Sequence, residues 1–114
     1  MSDFEHFELD IRWKRLLKMI SETFGELEDI KDVIFLIGIQ ELGMGYKKLS
    51  KDEKVDVMHI GVCAVLVPYG YYQYEGRDKE GWPHFTSVSE LPPMKEEDRE
   101  ILMKRAVIDY FEEK

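Results

Sequence analysis

The chain has 114 residues, with 16 basic against 24 acidic side chains and a net charge of −8. That length fits one domain over residues 1–114, and 44% apolar with 35% charged residues excludes a disordered chain. The negative balance repels phosphate backbones and anionic lipid, so it argues against nucleic acid and membrane as partners.

The longest uncharged apolar run, Val33 to Ile39, falls far short of the roughly 20 residues of a membrane-spanning helix. The start, Met1-Ser2-Asp3-Phe4-Glu5, is acidic where a secretory signal needs a basic and then an apolar stretch. The single Cys63 cannot form an internal disulfide. Together these predict a cytoplasmic location.

In chain order, Leu9, Trp13, Leu16, Leu17, Ile20 and Phe24 recur at helical spacing and predict a first helix that ends at Gly25. Its other face carries Arg12, Lys14, Arg15 and Lys18, read as a solvated flank. A second helix is predicted from about Glu28 to Leu42. Its centre is apolar all round, the pattern of a rod buried on most sides.

Ser50 and Glu53 form a capping box that opens a third helix, which continues through Val55, Met58, Val62 and Leu66 until Pro68 and Gly70 stop it. The short connector predicts an antiparallel pair, with Gly38 and Gly61 allowing close backbone approach. With the loop centred near Lys47, facing residue numbers sum to about 94, which sets Phe35 against His59 and Glu41 against Glu53.

Tyr71 to Glu75 and Trp82 to Thr86 flank a glycine-bounded turn and predict a two-stranded ribbon, with Pro83 on an edge strand. A last helix is predicted from about Lys95 to Glu112, with Ile101, Leu102, Ile108 and Phe111 facing inward. The expected fold class is therefore mainly α: four helices in a single domain, with a small β-ribbon between helices three and four.

Six of the fourteen aromatic residues lie between Tyr69 and Phe85. Such a group is a lid on the core or a surface to be covered, and both can hold on opposite faces. Tyr71, Tyr72, Tyr74, Trp82 and Phe85 form the candidate interaction surface.

Asp52, Asp56, His59 and Cys63 fall on one side of helix three. The helical rise places Asp52 and Cys63 about 16 Å apart, so the four cannot share one ion, and no metal or cofactor is assigned. The structural reading makes His59 a partly buried histidine and Cys63 a small core residue. Glu41, Asp56, His59 and His84 remain the candidate polar site, and His59 and His84 lining one polar cleft would favour enzymatic chemistry.

Gly38 to Gly45 lacks the Lys and Ser or Thr of a phosphate loop. An anion held by Lys47, Lys48 and the third helix's start is a weaker alternative to two solvated lysines. Cys63 has no cationic neighbour in sequence and no serine lies in a nucleophile elbow, which argues against acyl transfer.

At Met58-His59-Ile60, Gly70-Tyr71-Tyr72 and Gly81-Trp82-Pro83-His84 the chain resembles a group of small bacterial proteins to which no reaction is assigned. The resemblance implies a bacterial cytosolic origin and brings no functional residue with it. The role expected from the sequence is a non-enzymatic interaction module that engages a protein partner or a second copy through the aromatic ribbon. The alternatives are a metal-binding or hydrolytic enzyme centred on His59, and a ligand-binding regulator with an aromatic-lined pocket.

Overall fold

A computed structural model describes residues 3–45 and 48–113. Helix α1 runs Asp3–Phe24, and Gly25, with φ of 94°, stops it by returning its N–H to the Ser21 carbonyl at 3.0 Å. Leu9, Trp13, Leu16 and Ile20 bury the expected stripe against α4 (Glu96–Glu112). Phe24, expected on that stripe, is 60% exposed and lines an open groove instead.

Helix α2 (Ile30–Leu42) opens at Asp29, whose carboxylate accepts from the Lys31 and Asp32 amides while Asp32 accepts from Asp29. Helix α3 (Lys51–Leu66) opens with the expected box, Ser50 Oγ accepting from Glu53 N–H at 3.1 Å and Glu53 accepting from Ser50 N–H at 2.9 Å. The two helices meet along a glycine seam. A Cβ on Gly38 would stand 2.1 Å from the Val57 carbonyl oxygen, and one on Gly61 would stand 2.2 Å from that of Ile34. The seam pairs 38 with 57 and 34 with 61, one residue from the expected register.

The seam also corrects two expected faces. Val55 is 64% exposed, while Val57, Ile60, Cys63, Val65 and Leu66 are the buried apolar residues of α3. Apolar residues lie on most sides of that helix, so their spacing selects no face and the glycine contact sets the rotation. Helix α2 is buried at Val33, Ile34 and Ile37 but only partly at Phe35, Leu36 and Ile39, so it is not covered on most sides. Those three line an open groove with Met58.

Helix α4 enters the core through its C-terminal half. It buries Ala106, Val107, Ile108 and Tyr110, whereas Ile101, Leu102 and Phe111 of the expected inner face are only partly covered. Tyr69, in the turn after α3, donates to Asp109 of α4 at 2.5 Å.

The ribbon lies between α3 and α4. Strands β1 (Tyr72–Arg77) and β2 (Pro83–Ser87) are antiparallel, pairing Tyr72 with Ser87 and Tyr74 with Phe85. A bulge between Tyr74 and Gly76 shifts the register so that Gly76 faces His84 and Arg77 faces Pro83. The glycine there has φ of 101°, which the bulge requires. The ribbon packs on α3, and Tyr71 and Tyr72 cover the edge of the core. No described helix is long and apolar enough to cross a membrane.

Candidate functional site: two hollows beside the aromatic ribbon

The turn between the strands is organised by Asp78. One carboxylate oxygen accepts from the Glu80 and Trp82 amides at 2.9 and 3.0 Å, and the other lies 2.8 Å from Nε2 of His84. The Asp78 N–H also donates to the Trp82 carbonyl at 2.9 Å. The contact with His84, followed by the Trp82 amide, holds the Asp78 carboxyl below its ordinary range.

Arg77 performs the second anchoring step. Its guanidinium donates to the Leu42 carbonyl at 2.8 Å and to those of Gly81 and Glu41 at 2.6 Å. No basic residue occupies the last turn of α2 itself, so the ribbon supplies the cation that a helix C-terminus favours.

Two hollows lie between the ribbon so fastened and the helices. The first, about 450 Å³, is lined from α3 by Glu53, Asp56, His59 and Ile60, and from the ribbon by Asp78, Glu80, Trp82, Pro83, His84 and Phe85. Four carboxylates and two imidazoles therefore share one cleft, and among the described residues no lysine or arginine lines it. The second, about 350 Å³, lies beyond Pro83 and Phe85, which wall both. It is lined by Glu41, Ala64, Val67, Pro68, Tyr74, Arg77, Tyr110 and Glu113.

Three of the four candidate polar residues, Asp56, His59 and His84, thus come together in one polar cleft, the arrangement expected to favour enzymatic chemistry. Glu41 does not join them. Its carboxylate accepts from the Tyr110 hydroxyl at 2.5 Å in the second hollow. His59 is exposed rather than partly buried, with Nε2 3.4 Å from the Cys63 sulfur and its ring edge-on to Tyr72 at 6.2 Å. Cys63 is fully buried, and burial pushes its thiol up to about 11, which keeps it neutral and a poor nucleophile.

The ribbon aromatics divide. Tyr71 and Tyr72 pack on the core, Trp82 lines the first hollow, and Tyr74 lines the second with its partner Phe85, ring centroids 5.5 Å apart. Tyr74 remains 50% exposed. Lys47, a candidate anion ligand, lies outside the described residues, and Lys48 is exposed.

Sequence reasoning missed Asp78, Glu80, Arg77 and Tyr110. An aspartate two residues after Gly76 in a polar turn is a signal for side-chain capping of the loop, and it could have identified Asp78. Arg77 and Tyr110 reach partners 35 and 69 residues away, beyond any local spacing.

Chemically, the first cleft offers a carboxylate-oriented imidazole, but no serine, threonine or cysteine lines it. Both imidazoles also have structural partners, the Asp78 turn for His84 and Tyr72 with Cys63 for His59. Among the described residues no three His, Cys, Asp or Glu side chains are placed to hold one metal ion. Comparisons of the chain with protein families, with curated proteins and with solved structures return no match.

Proposed function

We propose that the protein is a non-enzymatic interaction module that holds a basic segment of a protein partner in the cleft between α3 and the ribbon. One observation carries this reading: Trp82, Pro83 and Phe85 form an apolar wall opposite Asp56, in a cleft with four carboxylates, two imidazoles and, among the described residues, no lysine or arginine. Aromatic residues supply contact area at low entropic cost, and the carboxylates select positive charge and speed encounter. A second copy is a poorer occupant, because each chain carries a net charge of −8 and would have to offer its Lys14, Arg15 and Lys18 row.

Selection from a random-peptide library tests the proposal. Binders enriched in lysine and arginine are expected, weakening about tenfold with Asp56→Lys or Glu80→Lys and with added salt. Binders without basic residues, or ones indifferent to both charge reversals and to Trp82→Ala, would overturn it. Sedimentation of the purified chain across salt concentrations separates self-association from partner binding.

The 2.8 Å contact between Asp78 and His84 favours one second reading, in which His84 acts as a general base toward a cleft-bound water. Saturable hydrolysis of aryl esters or phosphates that disappears in His84→Ala would support it. Equal background rates in both proteins would remove it.

A further inference from the structure

The second hollow differs from the first in what surrounds it. Residues from the C-terminal ends of three helices line it: Glu41 of α2, Ala64 of α3 with Val67 and Pro68 just beyond, and Tyr110 of α4 with Glu113 just beyond. Helix C-termini carry partial negative charge from unpaired carbonyls, and the usual complement is Lys, Arg or His in the last turn. None of the three helices has one in its own last turn; α2 takes its cation from Arg77, and turn amides meet the Leu66 and Val67 carbonyls at the end of α3. Among the described residues Arg77 is the only basic side chain of the lining, and its guanidinium is directed at the carbonyls of Glu41, Leu42 and Gly81.

Tyr74 and Phe85 of the ribbon line the space with Pro83, and Tyr110 adds a third aromatic ring; aromatic rings attract a cation most strongly when it carries little hydration of its own. Glu41 and Glu113 add formal negative charge. A volume of about 350 Å³ lies at the lower end of the range for small-molecule sites. A metal ion prefers several converging ligands, and among the described residues no three His, Cys, Asp or Glu side chains are placed to hold one. A compact cation with an apolar surface matches it.

We infer that the hollow where α2, α3 and α4 end beneath the Tyr74–Phe85 pair binds an organic ammonium group. A free amine and a lysine side chain of a bound protein present the same chemistry. The site shares a wall with the proposed peptide cleft but uses other charged residues, so either can fail alone.

The test is titration of the intact protein, observed by amide NMR, with tetramethylammonium chloride, with Nα-acetyl-lysine methylamide and with neutral tert-butanol. Saturable shifts are expected for both cations at the amides of Ala64, Val67, Tyr74 and Phe85, and none for the alcohol. Tighter binding of one cation or the other assigns the free or the side-chain source. Glu41→Gln, which retains an acceptor for Tyr110, is expected to weaken binding about tenfold, and Tyr74→Leu about fivefold. Equal response to the alcohol, no saturable shift, or unchanged affinity in both variants would overturn the inference. Shifts confined to Asp56, Glu80 and Trp82 would also overturn it, while leaving the peptide cleft supported.

Discussion

The α2–α3 seam and the ribbon hold the molecule by opposite means. Along the seam two backbones touch through Gly38 and Gly61, with no room for even a methyl group. The ribbon instead is fastened to the end of α2 by the Arg77 guanidinium while the Asp78 carboxylate ties its turn together, and partly buried aromatics line the hollows beside it. The difference teaches where each kind of change is felt: volume decides stability in the seam, whereas hydrogen bonding and charge decide the shape of the ribbon and its hollows.

The sharpest way to break that contrast is a single methyl group. Gly61→Ala forces the Ile34 carbonyl and the new Cβ apart, and we expect a loss of about 3 kcal/mol or more in urea unfolding. In the ribbon, Gly76 has open space around it, so Gly76→Ala is expected to cost only about 1 kcal/mol, from its positive φ. Equal losses would mean that the seam relaxes freely and that close contact is not its organising constraint.

A smaller effect is expected when the ribbon loses its anchor. Arg77→Ala removes the donors to three carbonyls, and a loss of about 2 kcal/mol is expected, with faster amide exchange in β1 and β2 than in α3. Uniform acceleration through all the helices would instead place Arg77 in the global core.

The smallest effect separates the regions by pH. Cys63 and Tyr69, beside the helical core, are raised to about 11 and about 12, chiefly by burial. A folded value above the unfolded one gives stability that is complete below the unfolded value and lost as pH rises through the folded value. The helices should therefore weaken only above about pH 9, the ordinary thiol value. Asp78 is lowered, first by His84, so its contribution is present above the ordinary carboxyl value and disappears as pH falls through the depressed one. Exchange at the Glu80 and Trp82 amides should rise on the acid side while the α3 amides stay protected. Loss of both regions together at either extreme would sink the distinction.

Much of this architecture was legible in the sequence where local chemistry determines it. Ser50 and Glu53 mark the start of α3, Pro68 and Gly70 mark its end, and Gly38 and Gly61 mark the seam. Rotations were not legible. Val55 and Val57 are equally apolar in sequence, and only the partner backbone decides that the second is buried. The candidate site was legible through its imidazoles and aromatics. The residues that shape it, Arg77 and Tyr110, act across the chain and leave no periodic signature.

The guanidinium of Arg77 also couples local opening of the two regions. The final carbonyls of α2 receive their cation from a residue 35 and 36 positions later, so they return to water whenever the ribbon lifts from the helix. The last turn of α2 is therefore expected to open in the same step that dismantles the second hollow.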